Sequence, residues 1–295
     1  MNRHTDIFPV LRVLGVWMLF TLSSFTLALA GGGWTPDKGS GFIKLGQWWV
    51  VSDRHYTDQG IDPNTTFGVF NTSIYAEFGL TNRLQATVYA PFFSRTYFNN
   101  TISQNTGEVI QAGEAIQSFG DTDISLTYGF RKGKSLVWSA TVLFGLPLGN
   151  ASGGSQGNLQ TGDGEFNQMI RADVGYSKRL GKVDTYYTAY VGLNNRTNGF
   201  SDEFRYGIEA GATFKNRVTT TFRVFGINSF KNGSSTDVPN STSLFANNSE
   251  HLTISPEVSV RVQKDWFLSA TAAGAVWGRL IFASPSFAVG IAKRI

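Results

Sequence analysis

Cysteine is absent from the 295-residue chain. That excludes disulfide staples, thiolate zinc sites, c-type haem attachment and cysteine nucleophiles, so stability must come from packing and backbone hydrogen bonding. Histidine is nearly absent too: there are three, and His4 lies in the leader described below, leaving His55 and His251. An excess of one charge is also lacking, with 25 basic against 21 acidic residues and a formal charge of +4. So small an imbalance gives no reason to expect a nucleic-acid partner.

Long apolar runs are missing after residue 30. Before it, Asn2, Arg3, His4 and Arg12 precede the run VLGVWMLFTL, and small residues stand at positions 28 and 30 of Ala28-Leu29-Ala30. This pattern predicts an export signal over residues 1–30, cut after Ala30, with residues 31–295 as one domain. An uncleaved anchor fits less well, because a spanning helix needs about 20 apolar residues.

What the chain does have is alternation. Aromatic residues make up 14% beside 33 glycines, which suits short strands and permissive turns. Ile124, Leu126, Tyr128 and Phe130 alternate with Asp123, Ser125, Thr127 and Arg131; Leu252, Ile254, Val258, Val260 and Val262 oppose Thr253, Ser255, Glu257, Ser259 and Arg261. Strand periodicity recurs over 41–52, 67–79, 83–95, 121–131, 135–146, 166–179, 184–195, 203–215, 217–228, 251–263, 266–278 and 285–294.

Short turns such as Leu80-Thr81-Asn82 and Lys264-Asp265 alternate with long Asn-, Ser- and Gly-rich connections at 53–66, 96–120, 147–165 and 229–250. All long loops therefore emerge at one end. The pattern predicts an all-β chain folded as a transmembrane up-and-down antiparallel β-barrel of about 12 strands, with 10 or 14 as alternatives. In lipid only a closed sheet leaves no edge hydrogen bonds open. Ile43, Leu45, Trp49, Phe70, Ile74, Leu84, Val88, Leu136, Trp138, Val142 and Phe144 are expected to face lipid, and Tyr56, Phe78, Phe93, Phe98, Phe130, Trp266, Phe267 and Trp277 to form interfacial girdles. The expected location is the bacterial outer membrane, crossed many times. The expected partners are outer-membrane lipid, the barrel-assembly machinery, which would engage the terminal PSFAVGIAKRI strand, and a small solute.

The stretches AEFGLTNRLQATVYAPF and FGDTDISLTYGFRKGK resemble hairpins of bacterial outer-membrane barrels of the phenol meta-cleavage pathway transporter type. The resemblance rests on Gly79, Leu80, Thr81, Arg83, Leu84 and Pro91, then Gly120, Asp121 and Tyr128. These are turn and strand-edge positions, so the resemblance implies the barrel fold and, as an inherited expectation, transport.

The face opposite the apolar one assigns Lys44, Glu77, Arg83, Arg95, Asp123, Arg131, Arg171, Asp173, Arg205, Glu209, Arg223, Glu257 and Arg261 to the lumen. Arginines outnumber carboxylates in that set. Two readings follow: ion pairs such as Arg205 with Glu209 and Glu257 with Arg261 fill the lumen, or an open channel favours small anionic or aromatic solutes. A barrel that merely displays adhesive loops is the alternative. A hydrolase fits less well, since no G-x-S-x-G elbow occurs and His55 and His251 read as surface residues at the long-loop rim. The glycine-rich stretches lack the helix a phosphate loop needs, and the loop carboxylates Asp163, Glu165, Asp202 and Glu203 lack spaced calcium ligands. No cofactor, metal or enzymatic activity is expected.

Overall fold

A computed structural model describes residues 32–103, 105–131, 133–234 and 245–295. The expected export signal at 1–30 lies outside the described residues. Sixteen strands occur among them: β1 (Gly41–Thr57), β2 (Gly60–Gly79), β3 (Leu84–Phe98), β4 (Thr101–Ile102), β5 (Val109–Gln111), β6 (Glu114–Ser118), β7 (Thr122–Gly129), β8 (Leu136–Leu146), β9 (Asn167–Leu180), β10 (Val183–Arg196), β11 (Glu203–Phe214), β12 (Val218–Ser229), β13 (Glu250–Arg261), β14 (Trp266–Arg279), β15 (Ile281–Phe282) and β16 (Ser286–Arg294). No helix long and apolar enough to cross a membrane occurs among them.

Twelve strands close a ring in the order β1, β2, β3, β7 to β14, β16 and back to β1, every neighbour antiparallel. The last strand closes on the first from Phe42↔Arg294 to Val50↔Ser286. Alternation decides which face is which. Leu45, Leu126, Trp138, Ile170 and Ile208 stand exposed on the outer surface, while their sequence neighbours Ser125, Thr127, Val137 and Ser139 are buried inside. Exposed leucine and isoleucine in continuous bands are what a sheet closed in lipid requires. The expected girdle residues Phe78, Phe93, Phe130, Trp266 and Trp277 lie outside as well.

Several expectations need correction. Residues 53–66 are no loop: β1 and β2 continue to a two-residue turn at Asp58-Gln59, where Gly60 takes φ 136°. The polar composition hid this tight Asp-Gln-Gly turn. The stretch 96–120 likewise holds the rest of β3, the β4–β5 hairpin and β6, which pairs with β3. Phe98 and Phe267 are buried inside the ring and do not join the girdle. Adjacent strand residues face opposite ways, so Phe267 cannot lie outward beside Trp266. Phe98 turns inward because Phe92 is an extra residue: Thr72 pairs with Phe93 and Ser73 with Pro91. A bulge of this kind reverses the facing of everything beyond it.

The wall has one weakly laddered strand. Pro256, which has no N–H, and Ser255 find no partner in β14, and the β14–β16 ladder ends at Ala273↔Ser286. Beyond that point β15 pairs with β1, and Tyr56 donates its phenol to the Ala275 carbonyl at 2.9 Å.

Inside the ring, tyrosines lie across glycines of neighbouring strands. A Cβ on Gly211 would fall 2.0 Å from the Tyr186 ring, whose hydroxyl bonds Thr221 at 3.0 Å. Replacing Gly211 by Val must expel that ring. The expected loss is about 1–3 kcal/mol of barrel stability, read as a lower denaturant midpoint in micelles; an unchanged midpoint would show that this glycine is not required for packing.

Candidate functional site: the barrel lumen

Ten of the thirteen residues assigned to the lumen are on inward register in membrane-spanning strands. Three are not. Arg95 lies beyond the Phe92 bulge, opposite the outward Phe70, and is exposed on the outer wall. Arg83 and Arg131 sit exposed in the short turns, past the strand ends. With these removed, the inward set is Lys44, Arg171, Arg205, Arg223 and Arg261 against Glu77, Asp123, Asp173, Glu209 and Glu257. The apparent arginine excess belonged to the outside of the barrel.

The expected pairing within single strands is also wrong, for a geometric reason. Residues i and i+4 on a strand are about 13 Å apart, so Arg205 cannot reach Glu209, nor Glu257 reach Arg261. Cross-strand register and i±2 neighbours on one face of a strand make the pairs instead. Glu209 stands opposite Arg223, which bonds it through Nε and reaches Glu257 through Nη1 at 3.1 Å. Arg205 pairs with Glu203 at 2.7 Å. Arg171 grips Asp173 with Nε at 2.9 and 3.0 Å and lies over the Tyr190 ring, 4.4 Å from its centroid. Glu77 accepts from the Tyr75 phenol. Arg261 lies 5.7 Å from the Phe267 ring centroid.

Around the Arg223 pair lies a cavity of about 370 Å³. Its walls are the rings of Phe42, Trp48, Tyr75, Tyr89 and Phe267, with Lys44, Ser259 and Ser269 among the polar lining. The hydroxyls of Ser259 and Ser269 and one oxygen of Glu209 are buried without a hydrogen-bond partner. Apolar walls with a few converging polar groups are the make-up of a small-ligand pocket. Its charges cancel: Lys44 and Arg223 against Glu209 and Glu257.

Both histidines depart from the surface position expected of them. His55 is 1% exposed, set edge-on against Phe67 and Phe282, and neither ring nitrogen has a partner. His251 is buried beside Thr253, whose hydroxyl lies 3.0 Å from Nδ1. Asp58, at the rim, pairs with Arg279. No carboxylate orients either imidazole among the described residues, so no base of the hydrolase kind is assembled.

A feature without periodicity closes the short-turn end. Residues 36–40 run along the end of β2, with Gly39 N–H on the Gly79 carbonyl at 2.9 Å. Gly33, Trp34 and Thr35 then cross the interior. A Cβ on Gly175 would lie 2.6 Å from the Trp34 ring, one on Gly129 2.9 Å from Thr35, and one on Gly33 3.0 Å from Val137. The Trp34 ring meets Tyr186 edge-on at 6.3 Å, and Gly32 packs on Thr188. The segment leads into β1 and touches β10, the strand diametrically opposite in the ring of twelve. Glycines at 33, 129 and 175 make the room.

The other end is narrowed by residues 147–166, between β8 and β9. Leu159, Thr161 and Glu165 in this segment are fully buried, and Thr96 on the inner wall donates to the Gln160 carbonyl at 2.6 Å. Arg196, at the end of β10, pins it: the guanidinium reaches Asp163 at 3.1 Å, Glu203 at 2.8 Å and Glu165. Asp121 accepts the N–H groups of Gly149 at 2.9 Å and Asp163 at 2.7 Å. Burial outweighs these partners and pushes the carboxyls up, Asp121 from 3.8 to about 6 and Glu165 from 4.5 to about 7. Sequence reasoning missed both: Trp34 lies before the first strand, and Arg196 continues the inward alternation of β10 one residue past the periodic stretch read at 184–195.

No protein-family model matches the chain, and no curated protein matches it. Solved structures do. An outer membrane channel from Pseudomonas putida F1 is 12% identical, with a TM-score of 0.57 over 91% of this chain and 100% of that one. The NanC porin is 6% identical, with a TM-score of 0.51 over 86% of this chain and 100% of that one. At these identities the likeness is one of fold, an outer-membrane-type β-barrel.

The raised carboxyls at the long-loop end set a pH dependence. A carboxyl titrating higher when docked binds its proton more tightly in the docked segment, so docking is strongest below about pH 4 and weakens as pH rises through 6 to 7. Limited proteolysis between residues 147 and 166 should therefore be faster at pH 8 than at pH 5, and Glu165→Gln should flatten the difference. Equal rates at both pH values would contradict this.

Proposed function

We propose that the chain is a gated outer-membrane channel for small solutes with an aromatic or otherwise apolar body and no net charge. The observation that carries this reading is the ring-walled cavity whose charges cancel. An anion entering it would meet no net positive charge, because the two cations of the lining, Lys44 and Arg223, are matched by Glu209 and Glu257, and Arg223 is bonded to both carboxylates. An uncharged solute meets aromatic faces and the unpartnered hydroxyls of Ser259 and Ser269. The resemblance of two hairpins to transporters of the phenol meta-cleavage pathway type agrees with an aromatic solute. The anionic alternative loses its support with Arg83, Arg95 and Arg131 outside the lumen.

Gating follows from what crosses the tube. A water-filled pore has no need of Trp34 laid against Gly175 and Tyr186, nor of a buried guanidinium pinning residues 147–166 at the opposite mouth. Passage requires the segment at 33–35 to move. The interrupted β13–β14 ladder and the β14–β16 ladder that ends at Ala273↔Ser286 also leave this wall few backbone bonds to break if a solute leaves sideways.

In planar bilayers the protein should show small, infrequent current steps with little preference between anions and cations. Trp34→Ala should raise the open probability or conductance severalfold while the folded barrel keeps its heat-modifiable migration. A large, stable, anion-selective conductance in the unaltered protein would sink this reading.

A further inference from the structure

The two ends of the barrel carry opposite charge. At the short-turn end Arg83, Arg131, Lys134, Lys182, Arg217 and Lys264 are exposed, and the carboxylates there are Asp37, Asp184 and Asp265. At the long-loop end Asp53, Asp58, Asp62 and Glu108 are exposed beside few free cations. Some of the basic side chains lie on the lipid-facing register and not on the turn tips. Lys178 follows Tyr176 by two residues, and Tyr176 pairs across the ladder with Tyr187, both rings outward and exposed. Lys293 follows the outward Ile291, and its ammonium lies 5.5 Å from the ring of Trp266. Lys134, exposed in the turn before β8, precedes the outward Leu136 and Trp138 by two and four residues.

Aromatic rings at the rim of an apolar band mark the headgroup level, and lysine stems run along apolar surface with the ammonium in that layer. We infer that Lys134, Lys178 and Lys293 form a docking surface for the anionic phosphodiester headgroups of the periplasmic lipid leaflet. Charge complementarity and placement both select this occupant. A body approaching from below would meet the turn tips, whereas Lys178 and Lys293 stand on the lipid-facing side of their strands, Lys293 over the Trp266 ring, and Lys134 stands just below the outward Leu136 and Trp138. The surface serves to seat the barrel at one depth, and it is independent of what passes through the lumen.

The test uses the folded chain in nanodiscs of phosphatidylglycerol and phosphatidylcholine in equal amounts, with the lipids retained on gentle extraction identified by mass spectrometry. Enrichment of phosphatidylglycerol by about threefold is expected. It should fall to the bulk ratio in the triple variant Lys134→Gln, Lys178→Gln, Lys293→Gln, and in the unaltered protein at about 0.5 M salt, where exposed charges are screened. The salt arm keeps the test valid should the variant fail to fold. Retention at the bulk ratio by the unaltered protein, or undiminished enrichment in the folded variant, overturns the inference. Co-sedimentation with peptidoglycan without lipid enrichment would also overturn it, assigning the basic end to the cell wall.

Discussion

A peptide group facing hydrocarbon has no water to bond, and leaving it unpaired costs several kcal/mol. Every other property of this barrel depends on satisfying that condition. The ring of twelve strands does so by pairing β16 with β1. Closure then forces all apolar side chains of one parity outward and all polar ones of the other parity into a narrow tube. The interior must accordingly satisfy its charges within itself. The β14 region, where Pro256 and the end of the β14–β16 ladder reduce the pairing, is the exception along the wall.

Inside the tube the same logic acts on side chains. Buried guanidinium groups are held by carboxylates, Arg223 between Glu209 and Glu257 on the two neighbouring strands and Arg171 on Asp173 two residues along its own strand. Pairing of this kind leaves little net charge along the lumen, whose remaining surface is largely aromatic. Closure at the two ends is of different character. Trp34 crosses the short-turn end by packing on glycine-lined wall, a contact that depends on shape. Residues 147–166 are held at the other end by Arg196 and buried carboxylates, a contact that depends on charge and pH.

The alternation of polar and apolar residues made the barrel, its twelve strands and most of its inner face legible without coordinates. Where it failed, the cause was local. One bulge residue, Phe92, reversed the facing of Arg95 and Phe98, and nothing in a period-two pattern announces an inserted residue before the register is seen. Pairing of charges four residues apart along a strand was a wrong metric, since the near neighbours of a strand residue lie across the ladder or two residues away on its own face. The histidines were misjudged because polar surroundings in sequence concealed a rim that continues as folded hairpin above the band. Residues 32–40 were illegible for a different reason. Gly-Gly-Trp-Thr-Pro-Asp has no periodicity, and its role exists only because Gly129 and Gly175, far along the chain, leave space for it.

The central claim is that residues 33–35 close the tube across its diameter. The chain has no cysteine, so a single engineered pair can be read cleanly. A Cβ on Gly32 would lie 3.4 Å from the Cβ of Thr188, close to disulfide reach. The measurement is single-channel current through the Gly32→Cys, Thr188→Cys protein before and after reduction. The account predicts that the cross-link, formed with oxidant against the strain of a side chain at Gly32, where φ is 141°, silences the barrel and that current steps appear on reduction. Equal conductance in the cross-linked and reduced states would contradict it.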